Sequence, residues 1–309
     1  MALRVAVLGA GSIGIFHARE LVQSGAELSA ILGSTAASAA VAADRVNALY
    51  GTAARAYADL DVLLANERLD AISICTPPST HFAFAMKCLE AGKHVLCEKP
   101  FVSVAPTRNT APAEELLLLA TKNGLVATVN TQWPSVLPLV RSLVPSETMR
   151  SFSWLSEPAA LEPSEMLEEH LSHANSLLVE LVPGGVADAI VVLLNTRGAI
   201  SVQFRYANAA VSTSVRYDFT HKVDRPRELG FSINDRTFQR VVGDGYTQAL
   251  MLDGTMHQID DPLKVSIQRF VAAVGGTAEP LVGVRAVLEN MRLQDTLIEA
   301  VLTGAFRPA

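Results

Sequence analysis

The sequence predicts an α/β protein in two parts: a parallel sheet covered by helices on both faces, then an α+β part on a mostly antiparallel sheet. Three observations carry this. Short apolar strands alternate with helical stretches up to about Thr131. A glycine pattern, Gly9-Ala10-Gly11-Ser12-Ile13-Gly14, joins the first strand to the first helix. Beyond Thr131 the pattern changes to apolar residues alternating with polar ones. The division is therefore placed at residues 1–131 and 132–309, the glycine pattern making the first a candidate dinucleotide-binding part.

In the first part, Leu3–Leu8 is an apolar strand, followed by the glycine turn and a helix from Ser12 to Ser24. Gly25 stands where a left-handed cap residue is expected. Ala26–Leu32 and Ala71–Cys75 are further strands, the latter ending at Thr76-Pro77-Pro78. Ser79 or Thr80 caps a helix running to Ala91, which Gly92 stops. The strand His94–Cys97, a helix over Ala113–Asn123 and the strand Leu125–Asn130 complete it. The alanine-rich stretch Ala36–Ala43 reads as low-complexity linker.

In the second part, Glu165–Leu181 is helical. Ile200, Val202, Phe204 and Tyr206, then Val211, Thr213, Val215, Tyr217 and Phe219, alternate with polar residues around a turn at Ala207-Asn208. Asp253-Gly254 is a second hairpin signal. Asp261-Pro262 opens a helix in the expected cap order, Gly275 closes it, and Val284–Leu302 is the last helix.

Length and composition exclude several classes. A chain of 309 residues suffices for roughly two domains. No apolar run approaches the ~20 residues that span a bilayer. Met1-Ala2-Leu3-Arg4 passes into a strand without signal-peptide architecture, so no membrane partner and a cytoplasmic location are expected. A net charge of −6 argues against a nucleic-acid partner. Cys75, Cys88 and Cys97 form no CxxC pair and read as packed thiols in a reduced compartment.

The chemistry concentrates in four places. Gly9, Gly11 and Gly14 allow a tight turn and close approach of a pyrophosphate to the helix N-terminus, at Ser12 and Ile13. After the second strand, where an acid would bind the ribose 2′-hydroxyl of NAD, the chain has Gly33-Ser34-Thr35. Ser34 and Thr35 can donate to a 2′-phosphate, so NADP is preferred over NAD. Thr76 and Pro77 lie at the carboxyl end of a parallel strand, and His81 either braces its helix or touches the cofactor. Lys99 leaves the sheet between Glu98 and Pro100, in a direction restricted by the proline.

Glu165, Glu168, Glu169, His170 and His173 cluster on one predicted helix. Glu169 and His173 share a face, and a carboxylate beside an imidazole suits general acid/base work. A solvated face of charge pairs and a metal set of Glu169, His170 and His173 are the alternatives. The order is not His-Glu-x-x-His, and no metal is expected.

These features resemble the glucose-fructose oxidoreductase / inositol dehydrogenase (Gfo/Idh/MocA) family. The likeness is dense over residues 3–131. It runs through Val5–Gly14, Tyr57-Ala58-Asp59-Leu60, Asp70–His81 and Ala91–Pro100. The resemblance implies a Rossmann domain at residues 1–131 followed by a substrate-binding and oligomerisation domain at residues 132–309, whose large open sheet serves as interface in a homodimer or homotetramer. It implies NAD(P)-dependent hydride transfer at a hydroxyl or carbonyl carbon of a sugar, cyclitol or related small molecule. It gives Lys99 a place beside nicotinamide and substrate, with Glu98 next to it. A downstream Asp-x-x-x-His pair maps onto Glu169 and His173, with His173 as acid/base and Glu169 its partner; His170 is the alternative base. The chain departs from the pattern there. The acid is Glu, the usual glycine-rich run is replaced by Leu161–Glu165, and Asn130-Thr131-Gln132-Trp133-Pro134 follows the sixth strand. These departures keep two other readings open: an NAD(P)-binding regulatory protein without chemistry, or a reductase of a non-sugar ketone or imine.

Overall fold

The computed structural model describes residues 2–144, 149–244 and 247–304, which form two compact units. The first is built from residues up to Ala105, Asn109–Gln132 and Leu263–Val287. The second takes Pro106–Arg108, Trp133–Pro262 and the chain from Leu288.

The first unit alternates β1 (Arg4–Leu8), α1 (Ser12–Gln23), β2 (Glu27–Leu32), α2 (Ala36–Tyr50), β3 (Arg55–Tyr57), α3 (Leu60–Asn66), β4 (Ala71–Ile74), α4 (His81–Glu90), β5 (His94–Glu98), α5 (Thr110–Lys122) and β6 (Ala127–Asn130). All six strands are parallel, in the order β3-β2-β1-β4-β5-β6. β4 is buried along its whole length, as expected for a strand covered on both faces. The order reverses between β1 and β4, the switch point at which such sheets open a crevice at their carboxyl ends.

The alanine-rich stretch is not a linker. It opens α2, started by a capping box in which Thr35 and Ser38 satisfy one another's backbone amides, and ended by Gly51 in the left-handed conformation. Its alanines are small enough to pack close: Ala39, Ala42 and Ala43 are buried. Thr80 does not cap α4 with its side chain. Its hydroxyl turns back to the Pro77 carbonyl and to Thr76 Oγ1.

The second unit contains α6 (Leu137–Leu143), β7 (Ser151–Ser156), α7 (Pro163–Leu181), β8 (Val186–Thr196), β9 (Ala199–Ala207), β10 (Ser212–Thr220), β11 (Leu229–Ile233), β12 (Arg236–Val242), β13 (Gln248–Leu252) and β14 (Thr255–Ile259). They make an eight-stranded sheet in the order β14-β13-β12-β11-β7-β10-β9-β8, antiparallel except where β7 meets β10. The alternation read in the sequence sets the register. Ile200 pairs with Phe219, Val202 with Tyr217 and Phe204 with Val215, all facing one apolar layer. Trp154, Phe231 and Phe238 stack within it. Asn208 Oδ1 accepts from the Ala210 and Val211 amides to close the β9–β10 turn. Asp253 and Gly254, both at positive φ, close β13–β14.

α8 (Pro262–Val274) and α9 (Val284–Thr303) complete the chain. The boundary at 131/132 assigned all of residues 132–309 to the second part, and residues 263–287 depart from it. Ile267 and Phe270 of α8 are buried in one cluster with Val5, Val7, Leu28 and Ile31. The apolar stripe of α8 thus covers the parallel sheet. From Leu288 on, α9 belongs to the second unit, where Asn290 donates to the Ser172 carbonyl and Ser172 to Gln294. Among the described residues no helix is long and apolar enough to cross a membrane.

Candidate functional site at the carboxyl edge of the parallel sheet

The glycine turn is dictated by crowding on two sides and openness on the third. Gly9 has φ +122°, and a Cβ there would collide with the Cys75 carbonyl oxygen. A Cβ on Gly14 would collide with the Gly9 carbonyl, so α1 presses directly on the turn. Gly11 is different. A Cβ there would meet nothing within 4 Å. Gly11 is also the N-cap of α1 and caps it with no side chain, leaving the amides of the first turn, beside exposed Ser12 and Ile13, aimed outward. Such a turn fits a dinucleotide pyrophosphate.

Gly33 carries the chain from β2 into α2, and a Cβ there would lie 2.6 Å from the Ala39 amide nitrogen. Ser34 and Thr35 are exposed. Thr35 Oγ1 accepts from the Ser38 amide at 3.1 Å, which commits it to the cap, while Ser34 stands one residue ahead. At the end of β4, Thr76 and Pro77 enter the turn that leads to α4. His81 is 1% exposed, with Nδ1 2.7 Å from the Pro100 carbonyl oxygen and Nε2 2.8 Å from that of Thr76. Of the two roles open to it, this is the brace. It ties the loop after β4 to the loop after β5.

Lys99 follows the last residue of β5 and is half-buried, and its amide donates to Glu98 Oε2 at 3.3 Å. The other carboxylate oxygen, Oε1, receives the Asn130 amide of β6 and lies 2.9 Å from His17 Nε2. His17 comes from α1, is 0% exposed, and places Nδ1 2.8 Å from Ser73 Oγ of β4. Burial alone would push the Glu98 carboxyl up. Hydrogen bonding and charge from His17, with Lys99 and Asn130, outweigh it and hold the group at about 2. Burial likewise works against charge on His17, yet its Cys75 and Glu98 neighbours push it up to about 10. Cys88 and Cys97 are buried thiols, and burial pushes Cys88 up to about 12.

His17, Ser73 and Asn130 were not singled out from sequence. The available signal was weak. His17 lies three residues after Gly14 on the sheet-facing stripe with Ala18 and Leu21, and Asn130 ends an otherwise apolar strand.

In the second unit, Glu169, His170 and His173 lie on α7. Glu169 Oε1 is 3.7 Å from His170 Nε2, and its Oε2 accepts from the Ala160 amide at 3.3 Å. His170 Nδ1 is 2.8 Å from Ser156 Oγ, which also accepts from Trp154 Nε1. His170 is thus built into the sheet's aromatic layer. The His173 ring is half-buried, with its centroid 6.4 Å from that of His170.

Comparison with known proteins places the first unit. The family described as an oxidoreductase family with an NAD-binding Rossmann fold (GFO_IDH_MocA) matches residues 3–131. UDP-N-acetylglucosamine 3-dehydrogenase of Acidithiobacillus ferrooxidans is 36% identical over 127 residues, 41% of this chain and 36% of that protein. The NADP(+)-dependent scyllo-inositol 2-dehydrogenase IolU of Bacillus subtilis is 38% identical over 104 residues, 33% of this chain and 30% of that protein. The chain matches about a third of the length of these curated relatives. The solved structure of the A. ferrooxidans enzyme GnnA superposes with a TM-score of 0.75 at 21% identity, covering 99% of both chains, a likeness of fold.

Proposed function

Through residues 3–131 the chain belongs to the Gfo/Idh/MocA family of oxidoreductases with an NAD-binding Rossmann fold, and on that premise we propose an NAD(P)-dependent oxidoreductase acting on a hydroxyl or carbonyl carbon of a sugar, cyclitol or related small molecule. The observation that carries the reading is the carboxyl edge of the parallel sheet. A glycine turn that tolerates no side chain at Gly9 or Gly14 and is open at Gly11 shares that edge with Lys99.

Nicotinamide, when bound, supplies or accepts the hydride. The backbone amides at Ser12 and Ile13 would hold the pyrophosphate, Thr76 and Pro77 would contact the cofactor at the end of β4, and Glu98 would hold the corner from which Lys99 leaves. Lys99 donates a hydrogen bond to the substrate oxygen and stabilises alkoxide character as it develops, which is worth a few kcal/mol when such a donor is preorganised. His173 exchanges the hydroxyl proton and Glu169 orients it. Those two roles rest on residue order in the family pattern. Ser34, with no carboxylate after β2, favours NADP, while Thr35 is taken by the cap of α2.

A homodimer or homotetramer through the second unit's sheet belongs to the same reading. The sheet face opposite the aromatic layer exposes Leu155, Leu194 and Met256. The substrate class follows from relatives named for inositol and UDP-N-acetylglucosamine oxidation. The test is a screen of inositols, aldoses, UDP-N-acetylglucosamine and their keto forms for nicotinamide reduction or oxidation with both cofactors. Turnover of a polyol or sugar supports the proposal. Tight NADPH binding with no turnover across the panel contradicts it in favour of a regulatory binder.

A further inference from the structure

We infer that His17 is a positioning residue for the Glu98–Lys99 corner: from the helix that opens with the glycine turn it holds Glu98 Oε1, and through Glu98 it fixes the direction in which Lys99 leaves the sheet. The inference rests on the functional reading above for what Lys99 does, and on the geometry of one unit for how it is held.

An imidazole at position 17 is not required to fill space, since a Leu or Phe would cover the sheet without burying two polar nitrogens. Both nitrogens of His17 are used. Nδ1 is 2.8 Å from Ser73 Oγ and Nε2 2.9 Å from Glu98 Oε1. Asn130 Nδ2 donates to the same Oε1, so two donors converge on one carboxylate oxygen. The other oxygen accepts the Lys99 amide at 3.3 Å. Glu98 is thereby pinned at both oxygens, and its side chain is 13% exposed. With its amide tied to a fixed carboxylate, the Lys99 backbone starts from a fixed plane. His17 lies one helical turn beyond Gly14, so α1 carries both the turn that fits the pyrophosphate and the clamp on the lysine corner. The charged and titratable groups facing Glu98 are His17 from α1, Lys99 from the exit of its own strand and Cys97 within that strand, while Cys75, just past the end of β4, faces His17.

The two nitrogens can be separated by substitution. His17→Asn keeps a polar group near Nδ1 and loses the one that reaches Glu98, whereas His17→Gln keeps a donor near Nε2. With the fastest substrate of the panel, H17N is expected to lower kcat on the order of 100-fold, the scale of a misplaced catalytic group. NADPH affinity, read by fluorescence, stays within about threefold, and H17Q recovers about tenfold or more of the loss in kcat. Replacing the cation by a neutral donor also moves the acid limb of kcat in H17Q to higher pH. Crystal structures of both variants with NADP+ read the positioning without any substrate: Glu98 leaves the Lys99 amide in H17N and keeps it in H17Q. Asn130→Ala, which removes the second donor to Oε1, gives a smaller loss of kcat of the same kind and stands in if H17N does not fold.

Unchanged kcat in H17N, equal losses in H17N and H17Q, or Glu98 and Lys99 unmoved in the H17N structure would overturn the inference. Lys99→Met separates the two claims. If K99M is inactive while H17N is fully active, the clamp is wrong and the functional reading stands. If K99M is fully active, the functional reading itself fails.

Discussion

Gly9 and Cys75 meet so closely that a Cβ on the glycine would overlap the cysteine carbonyl oxygen. The turn that fits the dinucleotide is therefore wedged against the end of β4, the neighbouring strand at the switch point. Two kinds of glycine follow, those that the fold needs and one that the ligand needs. Gly9→Ala forces a side chain into positive φ and a backbone clash, and should cost about 1–3 kcal/mol or more, read as a lowered denaturation midpoint. Gly11→Val adds atoms to open space. As a poorer N-cap, valine should cost on the order of 1 kcal/mol of stability, while weakening NADPH binding on the order of tenfold or more, since the second glycine of such a turn permits backbone approach to the pyrophosphate.

Cofactor preference is addressed at one position. Ser34→Asp puts a carboxylate after β2, where it can bind a ribose 2′-hydroxyl and repel a 2′-phosphate. The ratio of NADPH to NADH affinity should fall by about tenfold or more. A ratio unmoved by the substitution would remove Ser34 from the ribose site.

Five strands of the parallel sheet are legible because they are short, mainly apolar and punctuated by glycine, a pattern that burial on both faces imposes, whereas β3, the three residues Arg55–Tyr57, is too short to declare itself. The glycine turn and Lys99 were legible because their chemistry is local in sequence. In the second sheet β7, β8, β11 and β12 do not stand out in the sequence. β7 alternates Ser with Phe, Trp and Leu over only six residues, and β8 is largely exposed with two breaks in its register. α8 was found as a helix but assigned to the wrong unit, because an amphipathic stripe shows that a face is buried and not against what. His17 and Asn130 escaped for a related reason. A single polar residue on an apolar element declares no partner until the fold supplies one.

The return of α8 gives a stability prediction. Phe270 is 1% exposed among Val5, Val7 and Leu28. Phe270→Ala should destabilise the first unit by about 3–5 kcal/mol, seen as loss of amide-exchange protection in β1 and β2. Protection unchanged in those strands would mean that α8 contributes little to the unit.

The buried His17–Glu98 pair gives a pH signature. Glu98, lowered from 4.5 to about 2, contributes stability that is present above 4.5 and lost as pH falls through 2. His17, raised from 6.5 to about 10, contributes stability that is present below 6.5 and lost as pH rises through 10. Both contributions are complete between about 4.5 and 6.5. The melting temperature of the wild type should decline from pH 6.5 to 10, and H17Q should lose that slope. An identical slope in both proteins would place the titrating group elsewhere.

The central claim is that Lys99 acts on the reacting oxygen, and single-turnover hydride transfer in Lys99→Met tests it most directly. With cofactor and substrate premixed at saturation, the rate of nicotinamide absorbance change should fall on the order of 100-fold or more, while NADPH affinity stays within about twofold of the wild type. A K99M protein that transfers hydride at the wild-type rate would contradict the account.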